Sequence, residues 1–484
     1  MPRLLTSVPA AALALTLLAC ATNPATGKRE LSLMSEAQEI ELGKSMDGEV
    51  RRQMGVYEDA ELQRYVEAIG LRLARASQRP NLPWQFTVVD EPAVNAFALP
   101  GGYIYLTRGI LPFLDSEADL AGVLGHEIGH VTARHAAQQY TKATTAGLGL
   151  QLLSIFVPEA RPFQGLTETA FGVLFLKHGR DDELEADRLG VDYAARTGWN
   201  PAGVASMLRT LARLDEASGS RRGVPNWLST HPAPADRVER VHAYIAQSGI
   251  PVATSAGRAE DDQGFLRRVD GLVFGDSPRQ GIVRGNTFLH PELRLSIAFP
   301  QGWDVRNSPD QVMAKPPDRD EFMILQLVPN ASGSLEQVAR VTMANAGFQQ
   351  VDGAPARING LDAYVGTYQG QLQGLGNVAT LAAHIVHDRK VYLFAGLAPP
   401  NLYDSAQRQF TESIRSFREL TRQEAANIHP NRVDLYTVRR GDTWQGLAEA
   451  NDNTVTPSTL AIMNNYEPSQ PPRAGDRIKV VVQG

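Results

Sequence analysis

Two histidines four residues apart, with a glutamate directly after the first, constrain this chain more than any other feature: His126, Glu127, Ile128, Gly129 and His130. Positions i and i+4 share a face on a helix, so the two imidazoles converge on one point, while Glu127 is displaced by one position toward the cleft beside them. The spacing predicts a helix here, opened by Asp115, Ser116 and Glu117, which supply an N-cap and first-turn acids. Two neutral nitrogens beside a carboxylate are what metal-activated hydrolysis needs: donors for an ion, and a base able to take a proton from water. The single cysteine, Cys20, excludes an intramolecular disulfide and a thiolate zinc site, so any metal has to sit on His, Asp or Glu. The same spacing arises by chance in unrelated helices, and a third donor has to decide.

Two ways of completing the site can be compared. The metzincin pattern places a glycine at 133 and a third histidine at 136, but the chain has Ala133 and Ala136. His135 lies nine residues beyond His126, which at about 100° per residue is the opposite side of a continuous helix and leaves it a surface or ligand-supporting role. The gluzincin pattern takes a glutamate from a later helix, within Glu-x-x-x-Asp, and RDDELEAD at residues 180–187 supplies it. Glu183 and Asp187 share a face, with Asp187 one turn on and able to orient a ligand histidine, whereas Glu185 lies about 160° away. By itself the stretch 181–187 reads as a solvated acidic helix start; coupled to the upstream histidine pair, it reads as the helix of the third donor.

On these residues the chain resembles bacterial members of peptidase family M48, zinc metalloproteases that include a soluble periplasmic lipoprotein type. The resemblance runs through NPATG at 23–27 and LSLMSE at 31–36, NAFALPGGYIYLTRG at 95–109, the histidine helix, residues 183–190 and STHPAPADR at 229–237, about half the chain. It implies one zinc ion per chain held by His126, His130 and Glu183, Asp187 orienting a ligand from behind, and Glu127 as general base. It also implies His231 and Arg237 near the developing oxyanion, with His231 alternatively occupying the fourth zinc position and holding the enzyme latent. The strands read at 95–107 imply a sheet edge near Tyr103 to Thr107 that pairs with substrate backbone, or else strands that only pack beneath the helix.

The flanks set location. Arg3 followed by an uncharged Leu- and Ala-rich run at 4–19 reads as a signal peptide over residues 1–19. LLAC at 17–20 resembles a lipobox, which implies a lipid on Cys20, and Ala21 in place of Asp points to the outer membrane. Residues 21–30 read as a short polar tether. The expected organisation is α+β: a mainly helical gluzincin-type zincin domain with a small sheet at 20–247, a connector at 248–285, an α+β module without assignable chemistry at 286–420, and a small β-α-α-β module at 436–482. The last resembles LysM, on YTVRRGDTW at 436–444, Leu447, Ala448, Leu460, Asn464, Asn465 and AGDRIKVV at 474–481, which implies binding to N-acetylglucosamine-containing glycan such as peptidoglycan. The apolar runs 148–157 and 171–176 fall short of the about 20 residues a bilayer crossing needs.

Lys and Arg number 47 against 53 Asp and Glu, a net charge of −6, which gives no general attraction to phosphate backbones and argues against nucleic acid as partner. The expected function is therefore a periplasmic, lipid-anchored zinc endopeptidase acting on misfolded or stalled envelope proteins, including outer-membrane proteins. The alternative is a non-proteolytic envelope protein, chaperone-like or peptidoglycan-binding, with an idle metal site. Glu127 separates them, because a structural site has no use for a base. A zinc peptidoglycan amidase fits the C-terminal module but not this ligand pattern.

Overall fold

The structure, a computed structural model, describes residues 20–145, 178–218, 227, 231, 236–250, 259–308, 310–372 and 375–484. The signal segment and both apolar runs lie outside these residues. Among the described residues no helix is long and apolar enough to cross a membrane. Two compact units divide the chain, one within residues 1–275 and 431–483, the other within 276–430.

The first unit is built around the histidine helix. Short strands β1 (Cys20–Thr22) and β2 (Arg29–Leu31) pair antiparallel and lead into helices α1 (Glu36–Met54) and α2 (Ala60–Arg75). Strands β3 (Gln85–Val89), β4 (Ala96–Leu99) and β5 (Tyr103–Thr107) form a three-stranded sheet, followed by α3 (Glu117–Thr132), α4 (His135–Thr145), α5 (Arg180–Arg196), α6 (Gly203–Ser218), α7 (Arg237–Ser248) and α8 (Ala259–Val269). The Ser116 side chain caps α3 by accepting from Asp119 N, so the helix begins where the sequence predicts. Every residue from Asp119 to Thr132 is buried, as expected of a helix wrapped by others rather than lying on a surface.

Residues 21–30 are not a free tether. Asn23 is 2% exposed, its amide nitrogen donates to Ala133 O at 3.1 Å, and its Oδ1 accepts from Ala25 N, which fastens the segment just after Cys20 to the end of α3. The sheet order is β3-β5-β4, with β3 and β5 parallel and β4 antiparallel to β5. Tyr103–Thr107 is thus the central strand, paired on both sides, and cannot be the expected open edge; the edge strands of this sheet among the described residues are β3 and β4, and β4 packs against α3. The register follows from the turn: Gly101 and Gly102 take φ of +81° and +104°, a conformation side chains with Cβ rarely adopt, and they fold β5 back onto β4.

The connector expected at 248–285 contains α8, whose Phe265 and Val269 are fully buried in the main core. Beyond it the backbone pairs with the C-terminal segment, through Gly271 N to Val433 O and Val433 N to Leu272 O, both at 2.8 Å. The C-terminal strands Arg432–Thr437 and Arg477–Val482 enclose helices Trp444–Glu449 and Pro457–Met463, the β-α-α-β order expected. This module belongs to the first unit and shares its apolar core with Phe113. Lys479 is fully buried there, with Nζ donating to Leu114 O and to Asp115 Oδ1 at 2.9 Å, immediately before α3.

The second unit pairs a seven-stranded antiparallel sheet with a four-stranded one, with helices Leu335–Asn345 and Pro400–Ser416 packed on them. The α+β character expected at 286–420 is present, with strands Leu361–Leu372, Gly376–His387 and Lys390–Ala398 as successive neighbours in the larger sheet.

What brings the two motifs together is the crossing of α3 and α5. A Cβ added at Gly125 would stand 3.1 Å from Gly190 Cα, and one at Gly129 3.0 Å from Ala186 Cα, so the backbones themselves are in contact. Gly190→Val forces them apart, and we expect a loss of about 1–3 kcal/mol in urea unfolding together with reduced metal uptake. Gly48→Ala on α1, where an added Cβ meets nothing within 4 Å, leaves metal uptake unchanged and serves as the control.

Candidate metal centre

The crossing sets the face of α3 carrying His126 and His130 against the first turns of α5. Glu183 enters from there, and His231 reaches in from beyond α6. His126, His130, Glu183 and His231 each place one donor atom within 4.8 Å of the others, and each is at most 4% exposed. His126 Nε2 is 3.0 Å from His130 Nε2, 3.4 Å from His231 Nδ1 and 3.5 Å from Glu183 Oε2, while His231 Nδ1 is 3.0 Å from Glu183 Oε1. An ion about 2.0–2.1 Å from four tetrahedral donors separates those donors by about 3.3 Å. The observed spacings bracket that value, so the residues fit a small four-coordinate cation.

The surroundings favour the ionised form of Glu183 and the neutral form of His130, whereas at His126 burial opposes charge but hydrogen bonds with Asp187 and Glu183 outweigh it and raise the pKa to about 9. Burial opposes charge on Glu183, but His231, His126 and His130 outweigh it and keep its pKa well below the usual carboxylate range. Burial, with the neighbouring charge of His178, holds His130 well below its ordinary value, which leaves a neutral imidazole. Burial also opposes charge on Asp187, where hydrogen bonds from Arg237 and His126 prevail and lower the pKa. Asp187 Oδ1 faces His126 Nδ1 at 3.0 Å, the orienting contact expected. Glu127 is 1% exposed, its Oε1 is 3.6 Å from His231 Nε2, and burial raises its pKa.

Arg237 departs from the expected position near an oxyanion. It is buried, and its guanidinium forks onto Asp187 at 2.6 and 2.8 Å and onto Glu183 Oε2 at 2.7 Å. A planar fork between two carboxylates neutralises them and fixes their rotamers, an orienting position. Of the two roles expected for His135, the structure favours the ligand-supporting one over the surface one, since it is fully buried and its Nδ1 lies 2.8 Å from His130 Nδ1. The helix does not continue through it: α3 ends at Thr132, and Arg134 takes a left-handed φ of 60°, which turns the next side chain back.

Two residues passed over in the sequence complete the wall. Trp227 stacks on His231 with ring centroids 4.1 Å apart, and His178 stacks on His130 at 3.9 Å. For Trp227 a signal existed: it stands four residues before His231, and His231 N donates to its carbonyl as in one helical turn. His178 had none, because nothing in its own neighbourhood announces a distant ring.

The family model of peptidase family M48 matches residues 60–245, and that of the LysM domain residues 436–481. The beta-barrel assembly-enhancing protease of Escherichia coli strain K12 is 33% identical over 226 residues, 45% of this chain and 46% of that protein. The protein of the same name from Yersinia pestis is 27% identical over 425 residues, 83% of each chain. A mitochondrial metalloendopeptidase of Schizosaccharomyces pombe is 30% identical over 193 residues, 40% of this chain and 55% of that one. The match thus spans about half the length of the Escherichia coli relative. Residues 60–245 are thus similar to peptidase family M48 and residues 436–481 to the LysM domain.

Proposed function

We propose that this chain is a zinc-dependent endopeptidase of the gluzincin type, with His126, His130 and Glu183 as the resident donors. The observation that carries the reading is the fully buried Glu127 carboxylate beside a donor set spaced for a tetrahedral ion. Nitrogen and carboxylate donors in that geometry suit zinc. Zinc bound there supplies Lewis acidity to a peptide carbonyl and lowers the pKa of water to about 7. Glu127 takes the proton of the attacking water and delivers it to the departing amine, and its raised pKa suits both directions of transfer. Asp187 and Arg237 hold the ligand side chains, Arg237 as a positioning group on both carboxylates.

His231 has two readings, and the distances favour one. With Nδ1 3.0 Å from Glu183 and 3.4 Å from His126, it occupies the fourth donor place, which closes the site to water and substrate. Opening requires His231 to withdraw, and a withdrawn imidazole is then free to meet the oxyanion.

Substrates are polypeptides in extended form that add beside the edge strand β4, since main-chain pairing gives affinity without sequence demands. Misfolded or stalled outer-membrane proteins with unpaired strands match that chemistry. The periplasmic face of the outer membrane is the proposed location, with a lipid on Cys20. Asn23 then keeps the end of α3 close to the membrane. The LysM domain adds affinity for peptidoglycan glycan.

Glu127→Gln preserves shape and donors, so zinc content by elemental analysis stays at one per chain while turnover of an unfolded protein substrate falls by about 10²–10⁴-fold. Equal activity in that variant removes the endopeptidase reading and leaves the chaperone-like alternative. His231→Ala retains zinc and raises basal proteolysis; a fall of about 10²-fold instead assigns it to the oxyanion. Arg237→Met strands two buried carboxylates, and thermal or urea unfolding should register a loss of about 3–5 kcal/mol.

A further inference from the structure

The two imidazoles of the histidine pair are supported differently. His126 turns its outer nitrogen to a carboxylate, Asp187. His130 turns its outer nitrogen to another imidazole: Nδ1 of His130 and Nδ1 of His135 are 2.8 Å apart, and Nε2 of His135 is 3.2 Å from Glu185 Oε2. Asp182 Oδ1 stands further off, 4.0 Å from the same nitrogen. His135 is fully buried and Glu185 about one quarter exposed, so the arrangement runs from the centre of the unit toward its surface.

We propose that His135 and Glu185 form a relay that fixes the proton on His130 and thereby holds His130 Nε2 as a metal donor. The inference rests on the zinc-binding reading above. Two nitrogens 2.8 Å apart need one hydrogen between them, and its position has only two solutions. If His130 is to ligate through Nε2, its proton sits on Nδ1, and His135 Nδ1 must accept it. A neutral His135 then carries its own proton on Nε2, where Glu185 accepts it. In the opposite tautomer His135 donates from Nδ1, the His130 proton moves to Nε2, and the donor is lost. That opposite tautomer also leaves His135 Nε2 bare against a carboxylate, two acceptors facing each other. Glu185 therefore selects the solution in which His130 can bind metal, and His135 is a positioning residue.

The backbone is shaped for this contact. Arg134 is held in its left-handed conformation by ion pairing with the buried Glu39 and by a hydrogen bond to Met34 O. Glu185 leaves α5 from the side opposite Glu183, so one helix turn supplies a donor to the ion and the terminal acceptor of the relay.

A competing account exists in the same residues, because His130, His135 and His178 each offer a nitrogen within 4.8 Å of the others and could hold a second ion. The test uses the full chain, stripped and reloaded, with zinc affinity read by competition with a chromogenic chelator and zinc stoichiometry by elemental analysis. His135→Leu should weaken zinc binding by about 10–100-fold, whereas His135→Gln, whose amide can accept from His130 and donate to Glu185, should stay within about threefold of wild type. Cobalt substitution should show an altered visible spectrum in His135→Leu and the wild-type spectrum in His135→Gln. Unchanged zinc affinity in a folded His135→Leu protein overturns the relay, as does a His135→Gln protein as weak as His135→Leu. Two zinc ions per chain, falling to one in either variant, assigns His135 to a second metal site instead. Should His135→Leu fail to fold, the partly exposed Glu185→Gln decides: a loss of at least about threefold supports the relay, and wild-type affinity overturns it. A wild-type chain that takes up no zinc overturns the endopeptidase reading and the relay with it, while zinc in the wild type with unaltered variants overturns the relay alone.

Discussion

The backbone contact between α3 and α5 is the constraint on which the site depends. Helix axes usually stand about 8–10 Å apart, held off by the side chains at the contact. Here Gly125, Gly129 and Gly190 remove those side chains, and carbonyl and Cα atoms meet directly. Only at that separation do the short side chains of Glu183 and Asp187 reach the imidazoles of the facing helix, at 3.5 and 3.0 Å from His126. The glycines cost helix propensity, about 1 kcal/mol each relative to alanine, and the buried packing of α3 on all sides offsets it.

Close approach then creates an electrostatic problem. Glu127, Glu183 and Asp187 are three carboxylates in a volume with almost no solvent access. Removing a charge from water is costly unless a partner and hydrogen bonds replace the solvent. Arg237 answers for two of them with one planar group, while Glu127 keeps a raised pKa. The histidines around Glu183 and the Arg237 fork on Asp187 thus keep those two carboxylates ionised against their burial, while burial raises the pKa of Glu127. The supports sit on separate elements, since Arg237 begins α7 and His135 begins α4. Local rearrangement of any one element is accordingly felt at the donors.

The LysM domain is coupled to the same place. Lys479, with its head group on Leu114 and Asp115, links the last strand to the turn that starts α3, and Phe113 belongs to the LysM core. A glycan-binding module joined by a flexible linker would only raise local concentration. A module that shares a core with the residues leading into α3 is part of the scaffold that holds that helix.

Much of the site was legible in the sequence because its signals are local. A four-residue spacing specifies a helix face without reference to the rest of the chain, and this was enough for His126, His130, Glu183 and Asp187, as was the Ser116 cap. The β-α-α-β order of the last module was legible for the same reason. Helical projection failed at His135 because one left-handed residue, Arg134, ends the period, and what stabilises that residue is Glu39, ninety-five positions earlier. Strand order failed at Tyr103–Thr107 because alternation reports burial of a strand and not its neighbours, and β3 takes the edge that sequence left open. Arg237 could be placed near the site but not oriented within it, since a long flexible side chain goes where the nearest buried charges are. What the sequence determined by itself is a set of candidate donors and the helices that carry them, because period and capping are properties of a few consecutive residues. Which partner stands behind each donor was decided only by tertiary structure, because it depends on which distant helices approach closely enough to touch.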